Sequence, residues 1–230
     1  LYSMDKYEDA ISFYLKAEKE DPMLIQTYFN LTESYVMLDR FDEAKKALKR
    51  AQLINKNNGE IFFHLGNIAL LEENVDEGKQ HYAKAVSLGY TNPYIYMNLG
   101  SAYEDLGDLE SALSSYNKAI QLDKHFASAW LKKLELYLAQ EQYSEALSVS
   151  DSMIELLPDK FEGYHYKFAI LMELGSKADA KAVLDQALAM FPDDPGFKLD
   201  MVHFLEDAKK FAEAEKLLDE SFYEAPESAD

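Results

Sequence analysis

Residues 93–119 read Pro-Tyr-Ile-Tyr-Met-Asn-Leu-Gly-Ser-Ala-Tyr-Glu-Asp-Leu-Gly-Asp-Leu-Glu-Ser-Ala-Leu-Ser-Ser-Tyr-Asn-Lys-Ala. Tyr96, Leu99 and Tyr103 are spaced by three and four residues, and Ala112, Tyr116 and Ala119 by four and three. Such offsets put each triplet on one face of a helix. Asn92-Pro93 supplies an N-cap followed by proline at the first helical position. Gly107-Asp108 is a turn signal that divides the stretch into two helices.

Working outward, the small residue of the second helix recurs every 34 residues, as Ala10, Ala44, Gly78, Ala112, Ala146, Ala180 and Ala214. Four residues later a column reads Tyr14, Leu48, Tyr82, Tyr116, Ser150, Leu184, Leu218, and three further on another reads Ala17, Ala51, Ala85, Ala119, Met153, Ala187, Ser221. Alternation of small and large side chains lets neighbouring helices approach and interlock. The first helix of each unit repeats in step: Tyr28, Phe62, Tyr96, Trp130, Tyr164, Lys198; then Leu31, Leu65, Leu99, Lys133, Lys167, Met201; then Tyr35, Ala69, Tyr103, Tyr137, Leu171, Leu205. Gly175-Ser176 is a second inter-helix turn, Asp194-Pro195 a second capped start, and Pro22, Pro158, Pro192 and Pro226 share one column. A fixed period of this length is the mark of stacked helical pairs that share one continuous core.

Two changes follow from this register. Gly78 stands mid-helix in the alanine column, so Gly78→Ala is expected to stabilise by about 0.5–1 kcal/mol. Ala112→Leu is expected to cost about 1–3 kcal/mol by overpacking.

The pattern resembles the tetratricopeptide repeat family over nearly the whole chain, best at Tyr96–Tyr103 followed by Ala112, Tyr116 and Ala119. The resemblance implies an all-α solenoid of antiparallel helix pairs wound into a right-handed superhelix. It also implies one array over 1–230: a partial repeat at 1–24, then full repeats at 25–58, 59–92, 93–126, 127–160, 161–194 and 195–228. Departures fall in the repeats at 127 and 161, where Lys133 and Lys167 replace leucine and Leu134 and Phe168 replace the small residue. The chain opens on Leu1-Tyr2, and Leu217, Leu218 and Phe222 have no following helix in the sequence. The expectation drawn from this is a fragment of a longer protein.

Composition narrows the partner. Of 230 residues 23 are Lys or Arg and 42 Asp or Glu, a net charge of −19. This disfavours nucleic acid and anionic membranes and suits basic protein partners. With no cysteine there are no disulfides, thiolate metal sites or Cys nucleophiles. No apolar run is long enough to cross a bilayer, and a cytoplasmic setting is the simplest expectation. His64, His81, His125, His165 and His203 form no metal motif, and no phosphate loop or nucleophile elbow appears. The expectation is a protein that is not an enzyme and has no cofactor or metal.

In the resembling family, binding lies along the inner face made by the first helices. The fifth position there reads Phe29, Phe63, Met97, Leu131, His165, Leu199, with Val36, Met37, Leu70, Leu71, Leu138 and Met172 leaning the same way. Acidic groups such as Glu33, Glu60, Glu104 and Glu135 flank this stripe. The expected groove therefore comprises Phe29, Glu33, Phe63, Asn67, Leu70, Met97, Asn98, Leu131, Lys132, Glu135, His165 and Met172, and takes an apolar peptide or helix carrying Lys or Arg. The clamp for acidic tails known in chaperone-binding members fails, since its positions hold Phe63, Asn67, Asn98, Ser128 and Lys132, with two lysines replaced. Against the adaptor stand two alternatives: a structural module that self-associates through its terminal helices, and a regulatory arm of a larger protein.

Overall fold

A computed structural model describes residues 2–219. Among them run thirteen helices and no strand. The chain divides into two compact units, Leu1–Asp123 and Lys124–Asp230. The N-terminal unit holds α1 (Tyr2–Glu20), α2 (Ile25–Val36), α3 (Phe41–Ile54), α4 (Gly59–Leu71), α5 (Val75–Ser87), α6 (Pro93–Asp105) and α7 (Leu109–Leu122). The C-terminal unit holds α8 (Ala127–Ala139), α9 (Tyr143–Leu156), α10 (Glu162–Glu173), α11 (Lys177–Met190), α12 (Pro195–Asp207) and α13 (Phe211–Leu218). From α2 onward the helices pair into six antiparallel hairpins.

Each hairpin is closed by the same backbone device. The N–H groups of Arg40, Asn74, Asp108, Gln142, Ser176 and Lys210 donate to the carbonyls of Tyr35, Ala69, Tyr103, Tyr137, Leu171 and Leu205 at 2.8–2.9 Å. This is the six-to-one bond of a Schellman turn, which needs a left-handed residue just past the helix. That residue is Gly107 or Gly175 in two hairpins, but Asp39, Glu73, Glu141 and Lys209 in the others, with φ of 56–61°. Side chains cap several helix starts: Asn58, Asn74, Asn92, Asp108 and Asp194 each accept a main-chain N–H, whereas Ser176 makes no such bond.

The small column sits where the helices of a hairpin touch. Ala44, Ala112, Ala146 and Ala180 have no exposed surface, and Ala214 and Gly78 are buried. Four residues on, Leu48, Tyr82, Tyr116, Ser150 and Leu184 are equally enclosed. Ser221 and Pro226 of the repeating columns, and Phe222, lie outside the described residues. Side-chain size is traded across the hairpin. Tyr82 lies against Gly66 and Tyr116 against Gly100. At the matching positions of the other hairpins the pairs read Thr32 with Leu48, Leu134 with Ser150, and Phe168 with Leu184. The larger first-helix residues after 127 are thus met by smaller partners, and Leu134 and Ser150 are both fully buried.

Two details correct the sequence reading. A β-carbon on Gly78 would lie 2.6 Å from Leu70 Cδ2 and 3.0 Å from its Cγ. Leu70 occupies the space a side chain at 78 would need, so the gain expected from Gly78→Ala is offset by displacing it. The second concerns Lys133 and Lys167. Lys133 stays in the hairpin by laying its ammonium 5.7 Å from the Trp130 ring centre and 6.0 Å from that of Tyr137. Lys167 reaches Asp151 at 2.6 Å. Both long stems cover apolar surface while the charge finds a partner.

Candidate functional site on the first-helix face of the N-terminal unit

Helices α2, α4 and α6 lie side by side, and their shared face carries two adjoining cavities. One, of about 270 Å³, is lined by Glu33, Val36, Phe63, His64, Asn67, Tyr94 and Asn98. The other, of about 750 Å³, runs from α1 onto α2 and shares Glu33 and Val36 with it.

The smaller cavity is organised from beneath by Tyr82. Gly66 lets the Tyr82 ring lie flat on α4, and its hydroxyl donates to Asn67 Oδ1 at 2.5 Å. Asn98 Nδ2, from the next first helix, donates to the same oxygen at 2.9 Å. Burial pushes the Tyr82 hydroxyl up to about 12, so it stays a neutral donor. With Asn67 Oδ1 taken by two donors, the Asn67 amide N–H groups and the Asn98 carbonyl are the complementary groups left for a ligand. Those are the groups that pair with a peptide backbone. One hairpin on, Tyr116 repeats the arrangement on Gly100 but sends its hydroxyl to Glu104 Oε2 at 2.6 Å, since Ser101 stands where Asn67 would.

The apolar part of the site is aromatic. Phe63 is half-buried and its ring centre lies 5.4 Å from Tyr90 and 6.1 Å from Tyr82. Tyr94 is exposed and lines the cavity, whereas Met97, half-buried on α6, is not among the lining residues. The charge here is negative: Glu33 is exposed, and burial, then the Glu33 charge, raises the Glu60 carboxyl above its ordinary range. A field that makes a carboxylate harder to ionise favours an incoming cation.

Several expected residues fall elsewhere. Phe29 is 2% exposed and stacks on His64 at 5.2 Å; it belongs to the core, because His64 one hairpin on turns inward to cover it. His64 is itself buried, with its imidazole held down at about 4 by loss of solvent. Leu70 is half-buried and packs over Gly78 within its own hairpin. In the C-terminal unit, Leu131 is half-buried and Met172 packs against the core. Lys132 pairs with Glu135 at 3.2 Å. His165 Nδ1 lies 3.0 Å from Asp200 Oδ2, and that contact raises its pKa. Lys132 and His165 thus already have carboxylate partners within the chain.

Among the described residues no cluster of His, Asp or Glu could hold a metal ion, and no helix is long and apolar enough to cross a membrane.

Paired helices at this period, an interlocked small-residue column and an open first-helix face define a helical-repeat solenoid of the kind used for protein interaction. The chain belongs to the tetratricopeptide repeat family: models described as tetratricopeptide repeat match residues 25–58, 93–126 and 171–230. Members of this family are generally non-catalytic scaffolds that bind peptides or proteins. A curated relative, the Hsp70-Hsp90 organizing protein of Triticum aestivum, is 37% identical over 73 residues, which is 32% of this chain and 12% of that protein. Solved structures share the fold. The C-terminal part of a TPR repeat-containing protein from Cytophaga hutchinsonii matches with TM-score 0.70 and 19% identity over 98% of this chain and 94% of that one. The type IV pilus biogenesis factor PilW matches at 0.62 with 20% identity, over 86% and 91% of the two chains. YrrB, described as a TPR protein with an unusual peptide-binding site, matches at 0.52 with 20% identity, over 86% and 97%.

Proposed function

We propose that the chain is a non-catalytic adaptor whose first-helix face in the N-terminal unit takes an apolar peptide segment carrying Lys or Arg. The observation that carries this reading is the amide pair of Asn67 and Asn98, set between the Phe63 ring and the exposed Glu33. The amides match a peptide backbone, the aromatic wall takes an apolar side chain, and the carboxylate takes a cation. One anchored side chain of Leu or Phe size contributes about 1.5–3 kcal/mol, against the roughly 8 kcal/mol net that micromolar affinity requires, so several anchors and the backbone pairing must act together. The peptide-binding site in the description of YrrB fits a binding role for the fold. The organizing role in the wheat protein's name is not carried over, because Phe63 and Ser128 stand where the acidic-tail clamp has lysines.

The test is selection of a random dodecapeptide library displayed on phage against the chain. Enriched peptides should combine Lys or Arg with Leu, Phe or Met. Glu33→Lys, at an exposed site, should lower their capture at least tenfold with the melting temperature unchanged, and Tyr94→Ser should do the same. Enriched peptides indifferent to both changes would overturn the proposal.

A further inference from the structure

A larger cavity than either of the two on the first-helix face lies away from that face. It measures about 960 Å³ and opens between the second helices α5 and α7, with α6 as its floor. The floor is Tyr96, Leu99 and Tyr103, side chains of the repeating columns that are only half-buried here. The walls are low because Ala83 on α5 and Ser114 and Ser115 on α7 line them. The matching cleft between α3 and α5 measures about 170 Å³, and the one between α1 and α3 about 360 Å³.

The repeat itself supplies a comparison for the charge at its rim. Across the cleft between α1 and α3, Arg50 is bridged by Glu18 from the opposite wall. Two repeats on, the position of Arg50 is Lys118 and that of Glu18 is Val86. The cation is kept and its carboxylate is gone. Lys118 turns along its own helix to Gln121, at 2.9 Å. Lys79, on the facing wall, lies 5.4 Å from the centre of the Tyr103 ring and has the charges of Asp76 and Asp108 nearby. Lys118 is therefore the cation of this cleft without a described carboxylate, above an aromatic floor and beside the exposed Val86.

We infer that the outer cleft between α5 and α7 is a second docking site, for a partner segment that places an Asp or Glu on Lys118 and an apolar side chain on Tyr96, Leu99 and Tyr103. The partner supplies from outside the carboxylate that Glu18 supplies internally two repeats earlier. Its charge preference is opposite to that of the first-helix face, so the two sites sort their ligands by sign. A desolvated aromatic pocket with one charge at its rim is the arrangement that gives both affinity and register.

The same phage library tests this independently of the first-helix reading. A second class of enriched peptides should pair Asp or Glu with Leu, Phe or Tyr. Val86→Glu, which gives Lys118 an internal partner at an exposed position, should lower capture of that class at least tenfold and leave the basic class untouched. Lys118→Glu should exchange the acidic class for Lys- or Arg-bearing sequences that Glu33→Lys does not affect. Absence of an acidic class, or an acidic class indifferent to both substitutions, overturns the second site alone. Concentration-dependent self-association abolished by Val86→Glu would also overturn it, by assigning the cleft to a second copy of the chain.

Discussion

A β-carbon on Gly100 would lie 2.4 Å from Cε1 of Tyr116 and 2.6 Å from its Cδ1. The ring is fully buried and its hydroxyl is tied to Glu104, so it has nowhere to retreat. Gly100→Ala should destabilise by about 1–3 kcal/mol through overpacking, despite alanine's better helix propensity. Urea denaturation of the variant checks this. The double change Gly100→Ala with Tyr116→Leu should recover part of the loss, as the Thr32 and Leu48 pairing does naturally.

Gly78, on the second helix of its hairpin, gives the opposite lesson. There the neighbour is the end of the half-buried Leu70 side chain, which can rotate at some cost. Gly78→Ala should therefore shift stability by less than about 0.5 kcal/mol either way, propensity and displacement offsetting each other. A clear gain in the denaturation midpoint would show that Leu70 moves freely.

Acid stability should track His64. Its folded pKa is held at about 4 by burial, against roughly 6.5 in the unfolded chain. The unfolded state binds a proton that the folded state refuses, so stability is full above the unfolded value and falls as pH drops toward 4. The whole shift corresponds to about 3 kcal/mol. His64→Phe should flatten that part of the profile, read as melting temperature against pH.

His165 should act with the reverse sign. The bond to Asp200 raises its pKa, so its contribution is present below the unfolded value near 6.5 and is lost as pH rises through the folded one. The His165 side chain is 44% exposed, which keeps the effect small. Histidine NMR titration should show His165 titrating above ordinary values, and Asp200→Asn should return it to them.

Glu73 holds a left-handed turn with φ 61° at the position filled by Gly107 and Gly175 in other hairpins. Glu73→Gly should stabilise by about 0.5–1 kcal/mol, because the side-chain strain in that region exceeds glycine's entropic cost. The denaturation midpoint checks it.

What the sequence made legible was whatever depends on period alone. Ala112, Ala146 and Ala180 are buried as their spacing requires, and Asn92 and Asp194 cap the helices they precede. What escaped depends on the side chain opposite. Phe29 shares the register of Phe63, yet the inward turn of His64 covers one and leaves the other at the surface. Leu134 departs from the small residue of its column, and its fit rests on the equally buried Ser150 opposite. The outer cleft was hidden for the same reason: Tyr96 and Leu99 follow the pattern faithfully, and the small Ala83, Ser114 and Ser115 on the facing helices leave them half-buried.

The exchange of bulk between Gly66 and Tyr82, and between Gly100 and Tyr116, is settled inside a single hairpin. Each hairpin therefore travels as a self-consistent cassette. Recombination that cuts between α5 and α6 keeps every ring with its glycine, whereas a crossover between α6 and α7 can set a tyrosine against Leu134's bulk, or Ser150 against a void. Viable shuffled arrays from this lineage should carry their joints in the loops after second helices.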